Sequence, residues 1–216
     1  MIQIYESGYE RIAADDFPDK DRLEDVARGI QRILRMTYTR AFEMQQSAYR
    51  LPVGTIRRQR FDENSPVRVR AQVQRIEESV SKHCATYLLG WDYGEDENRG
   101  ELVGLAKTSP QNLHRKKPMK ESNYYINDIV SIYEGFGIGS LILDRALSEY
   151  PGDRSVTLDA FEGNDRANAW FNRLGFVAIE PQPEEDPFMI GSVVVPQTRL
   201  EALSIGLVRQ KLQKKS

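Results

Sequence analysis

Apolar residues return every three to four positions from Asp21 onward, at Leu23, Val26, Ala27, Ile30 and Leu34. That period lays one side of a helix against a core and carries it into the forties, through Phe42. The stretch 50–66 holds Pro52, Gly54, Asn64, Ser65 and Pro66 without a clear period, and reads as a loop. Val69, Val73, Ile76 and Val80 restore helical spacing and predict a second helix. From Cys84 the pattern changes to short apolar runs. Residues 85–91 and 101–108 read as the arms of a hairpin around a polar turn. Residues 109–121 are polar and basic and read as a loop. Asn123–Ser131, rich in Tyr, Ile and Val, is a third strand.

Three glycines follow, at 135, 137 and 139, and then Leu143, Ala146, Leu147 and Tyr150 mark another helix, closed by Pro151 and Gly152. Residues 155–160 alternate as a strand. Asn164 has the chemistry of an N-cap for a helix carrying Ala167, Trp170, Phe171 and Leu174 at i, i+3, i+4 and i+7, and Gly175 supplies its stop. A strand over 176–179, an acidic proline-rich loop over 181–187 and one or two strands within 188–203 complete the pattern. The tail carries Lys211, Lys214 and Lys215 and is expected to fray. The order is that of a mixed α/β sandwich around one sheet.

Composition adds exclusions. The 216 residues suit one domain, and 40% hydrophobic with 29% charged residues is ordinary for a soluble globular chain. Thirty basic against 32 acidic side chains leave a net charge of −2, so global charge drives it toward neither nucleic acid nor an anionic membrane. Cys84 is the sole cysteine; it is expected to be buried at the head of a strand and forms no internal disulfide. His83 and His114 show no metal-ligand spacing, so no metal is expected. The first residues lack signal-peptide blocks, and no apolar run approaches the ~20 residues of a membrane span. The expectation is a cytoplasmic protein.

The sharpest motif is the strand–turn–helix passage through Glu134, Gly135, Phe136, Gly137, Ile138, Gly139 and Ser140. Missing side chains let backbone approach a ligand closely, and the first N–H groups of a helix are both unpartnered and partly positive. Such a turn suits a phosphate or diphosphate. The nucleotide P-loop needs Lys and Ser/Thr after its last glycine, whereas Ser140 and Leu141 follow here. The dinucleotide pattern G-x-G-x-x-G also fails, meeting Ser140 or Ile142 at its third glycine. A plain tight turn stays open on the glycines alone.

On these residues the sequence resembles the GNAT superfamily of N-acetyltransferases, whose signature is Q/R-x-x-G-x-G/A between a strand and a helix. Glu134-Gly135-Phe136-Gly137-Ile138-Gly139 matches at both glycines. Downstream, Asn164-Asp165-Arg166-Ala167 and Trp170-Phe171-Asn172-Arg173-Leu174-Gly175-Phe176 resemble its second block. The resemblance covers about 84–176. It implies a mostly antiparallel central sheet splayed at a cofactor site, with helices on both faces. It divides the single domain into a helical acceptor-side region (1–83), a cofactor-binding part (84–204) and a basic tail (205–216).

The resemblance further implies acetyl-CoA as co-substrate. Ile129 and Val130 would bond its pantetheine arm, and residues 134–140 would wrap its diphosphate. Asn164 would bond the arm or only cap its helix. Two positions depart from the family. Glu134 replaces the usual Gln or Arg. Phe171 stands where many members place a proton-donating tyrosine, and phenylalanine donates no proton.

The implied reaction is direct acetyl transfer to a primary amine of a small molecule or a protein. The Val130 amide is the candidate for polarising the thioester carbonyl. Asp128, Glu121 or a water chain is the candidate base, while Asn123 cannot serve. Tyr124 and Tyr125 either shape the acceptor pocket or pack. Arg57, Arg58, Arg60, Arg68 and Arg70 meet an acidic group or form a solvated face. The alternative to an enzyme is a non-catalytic acyl-CoA sensor on the same fold. Membrane and nucleic acid are not expected partners; a homodimer is left open.

Overall fold

In the computed structural model the described residues are 8–49, 63–92, 100–110, 123–133, 135–179, 189–190, 193–194 and 197–214. The chain opens with a short strand, β1 (Gly8–Ile12), which the hydrophobic pattern does not announce. Helices α1 (Lys20–Tyr49) and α2 (Pro66–His83) follow. The Ser65 side chain caps α2, with Pro66 in the first turn where its missing N–H costs nothing. Strands β2 (Thr86–Asp92), β3 (Glu101–Ser109) and β4 (Asn123–Ser131) come next. After them come α3 (Ile138–Leu147), β5 (Ser155–Phe161), α4 (Asp165–Leu174) and β6 (Val177–Ile179). A small separate hairpin pairs β7 (Met189–Ile190) with β8 (Val193–Val194). Strand β9 (Gln197–Ala202) and helix α5 (Ile205–Gln213) end the described chain.

Seven strands form one sheet in the order β1-β2-β3-β4-β5-β9-β6. Every neighbouring pair is antiparallel except β4 and β5. This mostly antiparallel sheet with helices on both faces is the expected architecture. On one face α1 and α2 cover β1–β3, with Leu23, Val26, Ile30, Ile33, Ile76 and Val80 packed on Tyr87, Leu89, Leu105 and Val130. On the other, α3 packs on Leu88, Val103 and Ala106 through Ile138, Ile142 and Ala146. The same face under β5 and β9 is filled from α3, α4 and α5, among them Leu143, Leu147, Phe171, Leu174, Val208 and Leu212.

Three sequence expectations change. Residues 188–203 hold three strands, β7, β8 and β9, where one or two were expected, because two of them are two-residue arms of a separate hairpin. The lysine-bearing tail does not fray: over Ile205–Gln213 it is α5, capped by Ser204 and buried at Ile205, Val208 and Leu212. Those apolar residues sit at helical spacing, so one face of the helix is buried while Lys211 lies off it. Cys84 neither heads a strand nor lies buried. It is exposed and caps the C-terminus of α2 in the left-handed region at φ 51°, its N–H bonded to the Ser79 carbonyl.

Helix α3 packs directly on bare backbone of β2 and β3 because both strands offer a glycine beneath it. A Cβ at Gly90 would lie 2.8 Å from Ile142 Cδ1, and one at Gly104 would overlap the same methyl outright. The height of α3 above the sheet, and hence of its N-terminus, is therefore set by contact with bare backbone. Gly104→Ala should cost about 1–3 kcal/mol by overpacking. Thermal unfolding checks this, and a variant as stable as the parent would show that α3 can rise freely.

Candidate functional site

The site is built where the sheet stops being continuous. Strand β4 pairs with β5 only over Asn123–Ile126 against Ser155–Leu158, and the ladder ends there. On its other side β4 keeps pairing with β3, but the register steps: Thr108 faces Ile126 while Lys107 faces Asp128. Asn127 is thus one extra residue on β4, a bulge, and its Nδ2 donates to Ser109 Oγ at 2.7 Å. A bulge bends its strand and increases its local twist. Here it turns β4 away from β5 at the residue where their pairing ends. Strand β5 meanwhile stays laddered to β9 through Phe161.

The parting leaves a cavity of about 170 Å³ lined by residues 126–130 of β4 and 158–161 of β5. Thr37 of α1 contributes from one face of the sheet, and Ala167, Trp170 and Phe171 of α4 from the other. The gap therefore passes through the sheet rather than denting one side of it. Ile129 and Val130 reach opposite faces: Val130 joins the α1–α2 core and Ile129 packs toward the α4 side.

The far end of β4 runs straight into the glycine turn. Gly135 and Gly137 hold φ of 86° and 80°, values that favour glycine, and Gly137 is the N-cap of α3 with no side-chain cap bond. Gly135, Phe136 and Gly137 are exposed, whereas the Ile138 side chain is anchored in the core. A Cβ at Gly135, Gly137 or Gly139 would meet nothing within 4 Å. The space in front of the turn is open, and the first amides of α3 have no partner within their own helix. Residues and room together fit an anion of diphosphate size.

Of the expected site residues, Asp128, Ile129, Val130, Asn164 and Phe171 line one gap. The turn residues Gly135, Phe136, Gly137, Ile138, Gly139 and Ser140 lie beyond its β4 end. Glu121 and Glu134 fall outside the described residues. Asn164 does cap α4, accepting from the Ala167 amide at 3.2 Å, and also lines the gap. Phe171 is buried against Trp170 and Phe176 with ring centroids 4.7 and 5.4 Å away, so it is both core and wall.

Tyr124 and Tyr125 do not line the gap: Tyr125 is buried and Tyr124 stacks on Tyr150 at 4.0 Å. Burial pushes the Tyr150 hydroxyl above its ordinary pKa, so it stays protonated at 2.6 Å from Thr108 Oγ1. Sequence reasoning missed Thr37 and Asp159. Asp159 lines the gap and is held by Arg199, Nε to Oδ1 at 3.0 Å and Nη2 to Oδ2 at 3.4 Å. The alternation of 155–160 signalled a strand; only the register of β5 against β9 brings these two charges together. Among the described residues no group of three or more His, Cys, Asp or Glu could hold a metal, and no helix is long and apolar enough to cross a membrane.

A sheet parted between its two parallel strands, with a glycine-fronted helix starting beyond one of them, defines the acyl-CoA N-acyltransferase class of fold. Residues 42–176 match the family model described as the acetyltransferase (GNAT) family, and the chain belongs to that family.

Solved structures agree in fold. An acetyltransferase from Thermus thermophilus is 14% identical, covers 92% of this chain and 97% of its own, and superposes with a TM-score of 0.53. For smu.2055 from Streptococcus mutans UA159 the values are 14%, 92%, 99% and 0.54. For Arabidopsis thaliana NAA60, solved in complex with acetyl-CoA, they are 13%, 91%, 97% and 0.50. No curated protein matches the sequence.

The cap on α4 gives a direct check of how the gap's wall is held. Asn164→Ala should lower stability by about 1 kcal/mol, whereas Asn164→Asp, which keeps the acceptor oxygen, should stay close to the parent. Urea unfolding measures both, and equal losses would show that the cap bond is idle.

Proposed function

We propose that this protein transfers the acetyl group of acetyl-CoA to a primary amine, with both substrates bound at once. The observation that carries the reading is the gap that crosses the sheet beside the glycine turn. It allows a carrier to enter from the α4 face and an acceptor from the α1 face, meeting between β4 and β5. The complex of NAA60 with acetyl-CoA supports acetyl-CoA as the carrier on this fold.

In this reading the amides of the 134–140 turn hold the diphosphate, and backbone groups of Ile129, which alternate away from the β3 ladder, align the pantetheine arm. The Ile129 N–H, rather than that of Val130, is the donor for the thioester carbonyl: Val130 pairs with Leu105 in the same register in which the Ile132 N–H bonds the Val103 carbonyl, so its own N–H faces β3. Asp128, which lines the gap, is the candidate to accept the amine's proton directly or through water. The new N–C bond forms as the C–S bond breaks, and the thiolate leaves toward Phe171. With no proton to give, that ring leaves the thiolate to water. Most of the rate then comes from holding amine and thioester together. Phe171 also favours the second reading, an acyl-CoA sensor without turnover.

Acetyl-CoA binding by calorimetry, followed by free-thiol release with a panel of amines, tests the proposal. Release with at least one amine supports transfer, binding without release supports the sensor, and no binding overturns both. Gly139→Asp is the sharpest variant, because its two effects have opposite signs. A carboxylate in the first turn suits the α3 dipole, so stability should hold or rise slightly. The same charge repels a diphosphate, so affinity should fall by more than about tenfold. Unchanged affinity would remove the turn from the site. Phe171→Tyr should preserve or raise turnover, and a large loss in a steady-state assay would mark the ring as too tightly packed to carry a hydroxyl.

A further inference from the structure

The proposed chemistry makes no use of the Asp159–Arg199 pair, yet the pair stands where β5 passes from two-sided to one-sided support. Up to Leu158, strand β5 is laddered to β4 on one side and β9 on the other; beyond it only the β9 ladder continues. Asp159 and Arg199 are direct register partners in that first one-sided position. Their side chains are only 7% and 9% exposed, and the guanidinium engages both carboxylate oxygens.

A two-pronged, buried charge pair fixes direction as well as distance, and removing one member strands the other charge in the core. The constraint reaches further along the chain. Asn168 Nδ2 donates to the carbonyls of Phe161 and Glu162, so α4 hangs from the end of the same strand. Asn164, Ala167, Trp170 and Phe171 of that segment form the wall opposite β4.

The β4–β5 ladder stops at Ile126 and Leu158 although both strands continue, so each lip is turned away from the other. On the β4 lip the Asn127 bulge does this. We propose that Arg199, acting through Asp159, is the positioning residue that does it on the β5 lip, so that the gap is formed before any ligand arrives. The inference rests on reading the gap as the acyl-carrier site, but the position of β5 can be measured without a ligand.

The test is hydrogen–deuterium exchange on the full, ligand-free chain for the parent, Arg199→Met, Arg199→Lys and Ile12→Ala, the last a core truncation on the edge strand β1, separated from the gap by β2 and β3. Loss of the brace should change exchange across 158–171 and 127–131 by about tenfold or more in Arg199→Met, and by less in Arg199→Lys, which keeps charge without the fork. Ile12→Ala should disturb β1 and leave those segments at parent rates. In calorimetry acetyl-CoA affinity should fall about tenfold in Arg199→Met and stay at the parent value in Ile12→Ala. Equal behaviour of Arg199→Met and Ile12→Ala in both measurements would reduce the pair to ordinary stabilisation and overturn the proposal. If Arg199→Met does not fold, Arg199→Lys carries the same comparison. A parent that binds no acetyl-CoA would sink the functional reading, and the exchange rates would still decide the brace.

Discussion

A β-sheet is stable because its strands share edges, and this fold depends on two neighbours that share only half of theirs. The step of register at Asn127 is the cause that can be named at atomic level. One residue more on β4 than β3 can match turns the strand outward, and the Ser109 hydroxyl holds the misfit in place. Because β4 keeps its ladder to β3, and β5 keeps its ladder to β9, the parting leaves each strand supported on one side. Two half-sheets result, joined by four residue pairs. Helices α1 and α2 give the first half its own core on one face, while on the other face α3 packs on both halves.

The glycines act on the second coordinate of the site, the position of the helix end. Gly90 and Gly104 bring α3 down onto the sheet, and Ile138 pins its first turn into that contact. Gly135 and Gly137 then let the chain leave β4 and enter α3 with left-handed backbone, and their bare faces look outward. One pair of glycines therefore serves packing and the other serves access. Both are needed to place polar backbone at the end of the parted strand.

Much of this was legible in the sequence where the signal is local. Strand β4 runs over the residues that the Tyr-, Ile- and Val-rich run predicted. Asn164 caps α4 and Gly175, at φ 98°, ends it. The glycine turn lies between strand and helix as read. What stayed hidden is non-local or masked by charge. Strand β1 has five residues, two of them charged, and owes its existence to the edge of β2. Helix α5 looked like a basic tail because Lys211 falls among its three buried residues and further lysines follow them in the sequence. Nothing in Asn123–Ser131 marks Asn127 as a bulge, since only the partner strand defines the mismatch. The Asp159–Arg199 contact joins residues 40 positions apart through register alone.

The strand order has a consequence for how the chain comes into being. Strand β9, made after β5 and β6, lies between them in the sheet. A nascent chain can complete the β1–β4 half and seat α3 on it while β5 still lacks its long antiparallel neighbour. During that interval nothing on the β9 side competes with β4 for β5. Vectorial synthesis thus delivers the long antiparallel partner of β5 only after both strands that flank the opening have been made.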